Sequence, residues 1–183
     1  EDTGVLRAPA VANTSYWCDS QMDVLLPGAA KKSMKERKGM IPHLKNHDWT
    51  IEAELGDVVS IKYEDIPLKS LGLNREGTAN CIVFETDILK EYDEVLYKRY
   101  KAGKVKQHSI GLFYVNLELA VNAPDDDFYE EEYKVWKKHI DKILNPEVPE
   151  QRGYFWVSSE FKLMENSAVL FGSNILTPTL EVD

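Results

Sequence analysis

A long apolar run between residues 105 and 121 constrains the fold of this chain more than any other feature. Its length and its β-branched and aromatic side chains predict an extended strand. The run is apolar on both faces, which is typical of a barrel wall packed by side chains inside and by helices outside. Ser109 lies within it and Gly111 follows two residues later. A glycine inside a strand often marks close approach by another backbone or by a ligand.

The remaining pattern predicts six or seven strands and three helices. Further strands are expected over residues 4–12, 40–47, 55–63, 79–85, 153–164 and 167–171. Amphipathic helices are expected over 87–100, with Thr86 or Asp87 as the cap, and over 129–145, with a short helix near 29–38. Residues 146–152 are predicted to be a loop. The strands do not alternate one-for-one with helices, so we expect an α+β, mostly β protein, an antiparallel barrel with helices packed outside it.

The size and charge of the chain limit its organisation and its partners. The 183 residues suit one domain over 1–183, with a flexible tail at 175–183. The net charge of −9 and the pI near 5 argue against a general affinity for nucleic acid or anionic membranes. A local basic patch is still compatible with this net charge. No apolar run approaches the roughly 20 residues that span a bilayer. The start has neither a signal-peptide pattern nor an initiator Met, which predicts a trimmed or processed chain.

The sequence contains no pattern that predicts a cofactor or a metal ion. Phosphate-binding and dinucleotide-binding glycine motifs are absent, and the histidines do not fall at ligand spacings. Cys18 and Cys81 are far apart and are expected to be reduced thiols in a cytoplasmic protein. We therefore expect no cofactor and no metal site.

Nucleophilic catalysis by a serine would need a histidine base and a third group that orients it. His108 directly precedes Ser109 in a strand, so their side chains point to opposite faces and His108 is a poor base for that serine. His139 is expected at the surface, which leaves His43 and His47. His47 lies where a short strand gives way to a polar loop. A surface loop histidine and an ordinary strand serine explain the same residues, and the Gly-x-Ser-x-Gly motif of α/β-hydrolases is absent.

Four short segments, in order, are similar to segments of a known family. The first runs from Asp23 to Pro27-Gly28-Ala29, the second is Asn46-His47-Asp48, the third is Ser109-Ile110-Gly111-Leu112 and the fourth holds Leu163, Glu165, Ser167 and Val169. Together with Asn174, they make the chain resemble the prohead (head maturation) serine proteases of tailed bacteriophages, which are similar in fold to the herpesvirus assemblins. The resemblance covers roughly residues 4 to 175. Ala30, Leu112 and Gly172-Ser173 depart from the family pattern.

The resemblance implies a serine endopeptidase with a Ser-His-Glu triad. Ser109 would be the nucleophile, His47 the general base and Glu165 the third member, with Glu160 and Asp48 as competitors for that last role. Herpesvirus relatives use a second histidine there, but no histidine follows His139 in this chain. The helical segment 122–150 would be an insertion relative to compact family members.

The resemblance also implies a biological setting. Such an enzyme cleaves the phage major capsid protein and its scaffold segment, usually cleaves itself, and acts in the bacterial cytoplasm inside the prohead, in some relatives as a homodimer. Two alternatives remain at the level of sequence: an inactive, protease-like scaffolding domain for capsid assembly, and an unrelated small β-barrel binding module. The protease interpretation predicts that Ser109 Oγ lies within about 3–4 Å of a His47 nitrogen.

Overall fold

A computed structural model describes residues 3–181, which form seven β-strands and four α-helices. The strands are β1 Val5–Thr14, β2 Asp23–Leu25, β3 His43–Lys45, β4 Gly56–Pro67, β5 Thr78–Leu89, β6 Gln107–Val121 and β7 Tyr154–Val169. The helices are α1 Lys31–Glu36, α2 Glu94–Lys101, α3 Glu130–His139 and α4 Glu147–Arg152. The chain is therefore α+β and mostly strand, as the sequence predicts.

The strands form two sheets. One sheet has the antiparallel order β1-β5-β4. The other is built around β7, which pairs antiparallel with β6 along its length and parallel with β2 and β3 at residues 156–158 and 166–168. Among residues 3–181 the two sheets do not close into a barrel. The predicted α+β, mostly β class is therefore confirmed, and the predicted barrel is not.

The core lies between the two sheets. Ile82 and Phe84 of β5 pack in one cluster with Phe161 and Leu163 of β7, and all four side chains are at most 1% exposed. Helix α3 covers the far end of the second sheet, where Trp136 packs on Phe155 with ring centroids 5.2 Å apart. Face-to-face packing of half-apolar sheets removes this surface from water and positions β7 at the centre of the molecule.

The middle of β6 is exposed, contrary to the prediction that both of its faces are covered. Phe113, Tyr114, Val115 and Leu117 are 39–53% exposed. Helix α3 packs on the end of β6, where Ala120 and Trp136 belong to one buried cluster. The apolar sequence of β6 therefore predicts the strand but not the burial of its middle residues.

The predicted start of the second helix is wrong. Strand β5 continues through Thr86 and Asp87, because both residues pair with β1 and with β4. The helix begins at Glu94, and its cap is Asp93, whose side chain accepts a hydrogen bond from the Leu96 N–H at 2.9 Å. Ladder pairing on both sides of β5 outweighs the local capping preference of Thr86.

Residues 146–152 were predicted to be a loop but contain helix α4. Its prolines lie at the cap and in the first turn, where a missing N–H removes no helical hydrogen bond. Gly153 follows with φ 81°, a left-handed conformation that ends the helix. Helix α3 ends at His139 and continues only as a 3-10 turn, so the predicted helix over 129–145 is shorter than expected.

The two strands predicted over 153–164 and 167–171 are one continuous strand, β7, which runs from Tyr154 to Val169.

The tail, expected to be flexible over 175–183, packs against β1 and β6 as far as it is described. Leu176 and Thr177 are buried. The Thr177 carbonyl accepts a hydrogen bond from the His108 N–H at 3.1 Å, and the Leu180 N–H donates to the Pro9 carbonyl at 2.8 Å. Residues 182 and 183 lie outside the described part of the chain.

Cys18 and Cys81 are both free thiols and both buried. Burial raises the pKa of Cys18 to about 12 and that of Cys81 to about 11. None of the helices among residues 3–181 has both the length and the apolar character that crossing a membrane requires.

Candidate active site

The pairing of β6 with β7 places three of the singled-out side chains on one face. Ser109 lies opposite Ser167 and Gly111 lies opposite Glu165, with no register shift between them. Residues directly opposite each other in an antiparallel pair share a face, and so do residues two apart along one strand. The side chains of Ser109, Ser167 and Glu165 therefore project from the same side of the sheet.

His47 is brought to this face by a tight turn after β3. Strand β3 runs parallel to β7, with Lys45 beside Ala168. Asn46 and His47 then adopt φ values of 55° and 56°, in the left-handed region that residues with a Cβ rarely occupy. The His47 N–H donates to Ser167 Oγ at 3.0 Å, which ties the turn to β7. Such backbone conformations are concentrated at functional sites.

The His47 ring is hydrogen-bonded to a buried carboxylate. Its Nδ1 lies 2.5 Å from Glu165 Oε1, and the Ser167 hydroxyl donates to Glu165 Oε2 at 2.8 Å. Glu165 is 1% exposed, while the His47 side chain is 39% exposed. A carboxylate only accepts hydrogen bonds, so Nδ1 carries the hydrogen and Nε2 is left as the proton acceptor. This is the tautomer that a histidine base requires.

Gly111 provides the space that this carboxylate occupies. A Cβ built on Gly111 would lie 3.0 Å from Glu165 Cδ and closer still to Oε1. No side chain fits between the two strands at this position. The glycine two residues after Ser109 is therefore explained by close packing against Glu165, which refines the prediction of a close approach.

Ser109 is partly exposed and is not bonded to His47. Within residues 3–181, no hydrogen bond joins Ser109 Oγ to either nitrogen of the His47 ring. The expected separation of about 3–4 Å is thus not realised as a hydrogen bond, although catalytic contacts are often long before substrate binds. Of the competitors for the third role, Glu160 pairs instead with Lys32 at 3.4 Å. Asp48 makes no hydrogen bond to the His47 ring among the described residues.

The other three histidines are all buried. His43 and His108 are fully buried and His139 is 2% exposed. The prediction of a surface position for His139 is wrong, because its ring packs near Tyr16 at a centroid distance of 6.3 Å. His108 faces the core, away from Ser109, as strand alternation predicts.

A buried hydrogen-bond chain connects His43 and His108. His108 Nδ1 lies 3.0 Å from the Thr177 carbonyl, so Nδ1 is the donor and Nε2 accepts from the Tyr100 hydroxyl at 2.9 Å. The Tyr100 oxygen then accepts from His43 Nε2 at 3.1 Å, and His43 Nδ1 accepts from the Thr86 hydroxyl at 2.9 Å. Every member is satisfied only while both histidines are neutral.

Burial sets the charge state of this chain. It lowers the pKa of His43 well below its ordinary value and lowers the pKa of His108 to about 4. His43 lies four residues before His47, and His108 is adjacent to Ser109. This hydrogen-bond chain therefore fixes β3, which leads into the turn of the exposed His47, and the start of β6, which carries the partly exposed Ser109. Sequence reasoning assigned no role to Tyr100, whose helical apolar spacing was its only signal, and it named Ser167 only as part of a resembling segment.

Two clefts flank the site. One has a volume of about 210 Å³ and is lined by Ser109 itself, together with the acidic residues Asp19 and Asp23. The other has a volume of about 340 Å³ and is mostly apolar; its lining includes Trp49, Ile51, Met164 and Glu165. Clefts on both sides of a serine and a histidine could hold an extended chain that crosses them.

Comparison of the chain with protein-family models, with curated protein sequences and with solved structures found no match. The resemblance described from the four sequence segments therefore stays a prediction.

Proposed function

We propose that this protein is a serine endopeptidase that uses Ser109, His47 and Glu165. The observation that carries the proposal is the hydrogen bond from His47 Nδ1 to the buried Glu165 carboxylate, on the face of the sheet that also bears Ser109. A buried carboxylate that fixes the ring tautomer and leaves Nε2 as the acceptor is the arrangement that activates a serine. Glu165 fits the third role better than Glu160 or Asp48, because it alone of the three bonds to the His47 ring.

The reaction would be acyl transfer in two steps. Ser109 Oγ bonds to the peptide carbonyl carbon as its proton passes to His47 Nε2, and the imidazolium then donates that proton to the leaving amine as the C–N bond breaks. Water attacks the resulting ester, gives a proton to His47, and releases the acid while Ser109 Oγ regains its hydrogen. Glu165 stays ionised throughout and stabilises the imidazolium.

The biological role in this proposal rests on the resemblance to prohead proteases. The substrates would be a phage major capsid protein with its scaffold segment, and the protein itself, inside the prohead in the bacterial cytoplasm. The fold would be an open variant of the assemblin-like barrel, with its two sheets not closed on each other and with residues 122–150 inserted, and a homodimer is part of the same expectation. In support, Ser109, Gly111, Glu165 and Ser167 of the resembling segments meet on one pair of strands.

The second candidate is an inactive, protease-like scaffolding domain for capsid assembly. The absence of a Ser109–His47 hydrogen bond among residues 3–181 favours it, because a serine that does not reach its base is not activated. The two candidates differ only in the reactivity of Ser109.

Labelling with a fluorophosphonate probe, read by intact mass and peptide mapping, tests the proposal. We expect one adduct, on Ser109, that disappears in Ser109→Ala and in His47→Ala. Ser60→Ala is a control, since Ser60 is also a serine in a strand, but its hydroxyl is hydrogen-bonded to Glu85 at 2.8 Å and has no histidine partner among the described residues; it should label like the wild type.

Each other outcome has a definite meaning. No adduct at protein concentrations that favour a dimer would reject the enzyme in favour of the scaffolding domain. An adduct on another residue would show that Ser109 is not the nucleophile.

A further inference from the structure

The cleft that Ser109 lines is acidic. Asp19 and Asp23 both contribute to its wall, and its lining contains no lysine, arginine or histidine. Asp19 is held in place by its own loop, since Oδ1 accepts hydrogen bonds from the Gln21 N–H at 2.8 Å and from the Asp23 N–H at 3.0 Å. Asp23 Oδ2 accepts a hydrogen bond from the Tyr114 hydroxyl. Two oriented carboxylates thus border the space beside the proposed nucleophile.

Among residues 3–181, no lysine, arginine or histidine side chain forms an ion pair with Asp19 or Asp23. Both aspartates are half-buried, and burial raises the pKa of each carboxyl above its ordinary value. A carboxylate that has lost hydration without gaining a cationic partner is less stable than one in water. A cation placed between Asp19 and Asp23 would remove this penalty.

A second, independent feature of the cleft points to a bound peptide. Asn13 lines the cleft and is 4% exposed. The Asn174 Oδ1 accepts from the Leu176 N–H at 3.1 Å, so Asn174 Nδ2 donates to Asn13 Oδ1 at 3.1 Å and to the Thr14 carbonyl at 3.0 Å. This fixes the orientation of the Asn13 amide. Its Nδ2 then has no hydrogen-bond partner within residues 3–181.

Because Asn13 Nδ2 makes no hydrogen bond to the described residues, it can donate to an acceptor that enters the cleft. A peptide that lies beside Ser109 brings backbone carbonyl groups, which are such acceptors. One basic residue of a bound peptide could therefore satisfy both features. Its backbone carbonyl would accept from Asn13, and its positively charged side chain would pair with Asp19 and Asp23.

We propose that this cleft binds a lysine or arginine side chain of the substrate next to the scissile bond, with Asp19 and Asp23 receiving the cation and Asn13 Nδ2 donating to a backbone carbonyl. This inference rests on the proposed endopeptidase function. It assigns the substrate class as peptides with a basic residue at one fixed position relative to the cut.

Profiling the cleavage of a complex peptide mixture by mass spectrometry tests the inference. We expect lysine and arginine to be enriched at one position near the cut, and a peptide with lysine there to be cleaved roughly 10- to 100-fold faster than its norleucine analogue, which has a similar shape and no charge. The combined Asp19→Asn and Asp23→Asn variant should lose most of this preference. Asp125→Asn, an exposed carboxylate in a loop away from the cleft, should keep it.

Labelling of Ser109 separates failure of this inference from failure of the enzyme. Cleavage by every variant is expressed per Ser109 labelled by the fluorophosphonate probe. If Ser109 labels but the wild-type profile shows no basic preference, the inference is wrong and the endopeptidase proposal stands. If Ser109 does not label, both fall. The wild-type profile can overturn the inference without the double variant, so instability of that variant does not weaken the test. If the double variant folds and keeps the basic preference, the inference is also wrong.

Discussion

Replacing Gly111 by alanine tests the packing that holds the candidate site together. The added Cβ would lie 3.0 Å from Cδ and 3.1 Å from Cγ of Glu165, and closer to Oε1. Glu165 is 1% exposed and both of its carboxylate oxygens are hydrogen-bonded, so the side chain cannot turn into solvent. Either the strands must separate or the bond between Glu165 and His47 must break.

The size of the effect follows from these alternatives. Overpacking a core costs about 1–3 kcal/mol, and losing a hydrogen bond to a charged group costs about 1.5–3 kcal/mol. The φ of Gly111 lies outside the left-handed region, so alanine is compatible with the backbone and should recover about 0.4–1 kcal/mol by restricting the unfolded chain. We expect a net loss of about 1–2 kcal/mol in the free energy of unfolding.

A double-mutant cycle isolates the cause. In the Glu165→Ala background the obstructing carboxylate is gone, and Gly111→Ala should become neutral or slightly stabilising, which gives a coupling energy of about 2 kcal/mol. Urea unfolding followed by tryptophan fluorescence measures all four proteins. If Gly111→Ala costs the same in both backgrounds, within about 0.5 kcal/mol, the explanation by contact with Glu165 is refuted.

Three further outcomes follow from the same contacts. Glu165→Gln should slow fluorophosphonate labelling by about 10³–10⁴-fold, because an amide can hold the His47 ring in the wrong tautomer; a loss below tenfold would remove Glu165 from the triad. Tyr100→Phe should lower the free energy of unfolding by about 1–3 kcal/mol, measured in urea, since it leaves a buried donor on His43 and a buried acceptor on His108 unpaired; an unchanged midpoint would contradict the hydrogen-bond chain. The pKa values of both histidines are lower in the folded protein than the ordinary 6.5, so their stabilising effect is complete above pH 6.5 and is lost as the pH falls towards 4. For His108 alone, a folded pKa of about 4 corresponds to about 3 kcal/mol of lost stability at the acid end, and a flat urea midpoint between pH 7 and pH 4 would show that the chain tolerates protonation.

The sequence predicts where the strands lie better than it predicts which of their side chains are buried. The apolar run of β6 correctly indicates a strand, because β-branched and aromatic residues favour extended backbone whether or not they are covered. The exposure of Phe113 and Val115 depends on which other elements pack over the middle of β6, and no local pattern encodes that packing. Thr86 illustrates the same limit, since its preference for a helix cap is outweighed by ladder pairing with residues far away in the sequence.

The residues of the candidate site could be predicted from the sequence, but the contacts between them could not. Ser109, His47 and Glu165 can be singled out from residue types and short segments. Their contacts depend on the register between β6 and β7, in which a slip of one residue would turn Ser109 away from Glu165. The role of Ser167, which bonds to both the His47 backbone and the Glu165 carboxylate, arises only from that register.

The central position of β7 has a consequence for synthesis on the ribosome. Strands β2, β3 and β6 all hydrogen-bond to β7, yet β7 is made after every one of them. His47 must wait for Glu165, 118 residues later, before its ring can be oriented. A nascent chain that ends before residue 154 therefore carries the serine and the histidine without the carboxylate or the sheet that unites them. In the proposed endopeptidase, this order of assembly would keep Ser109 without its base and carboxylate until almost all of the described fold can form.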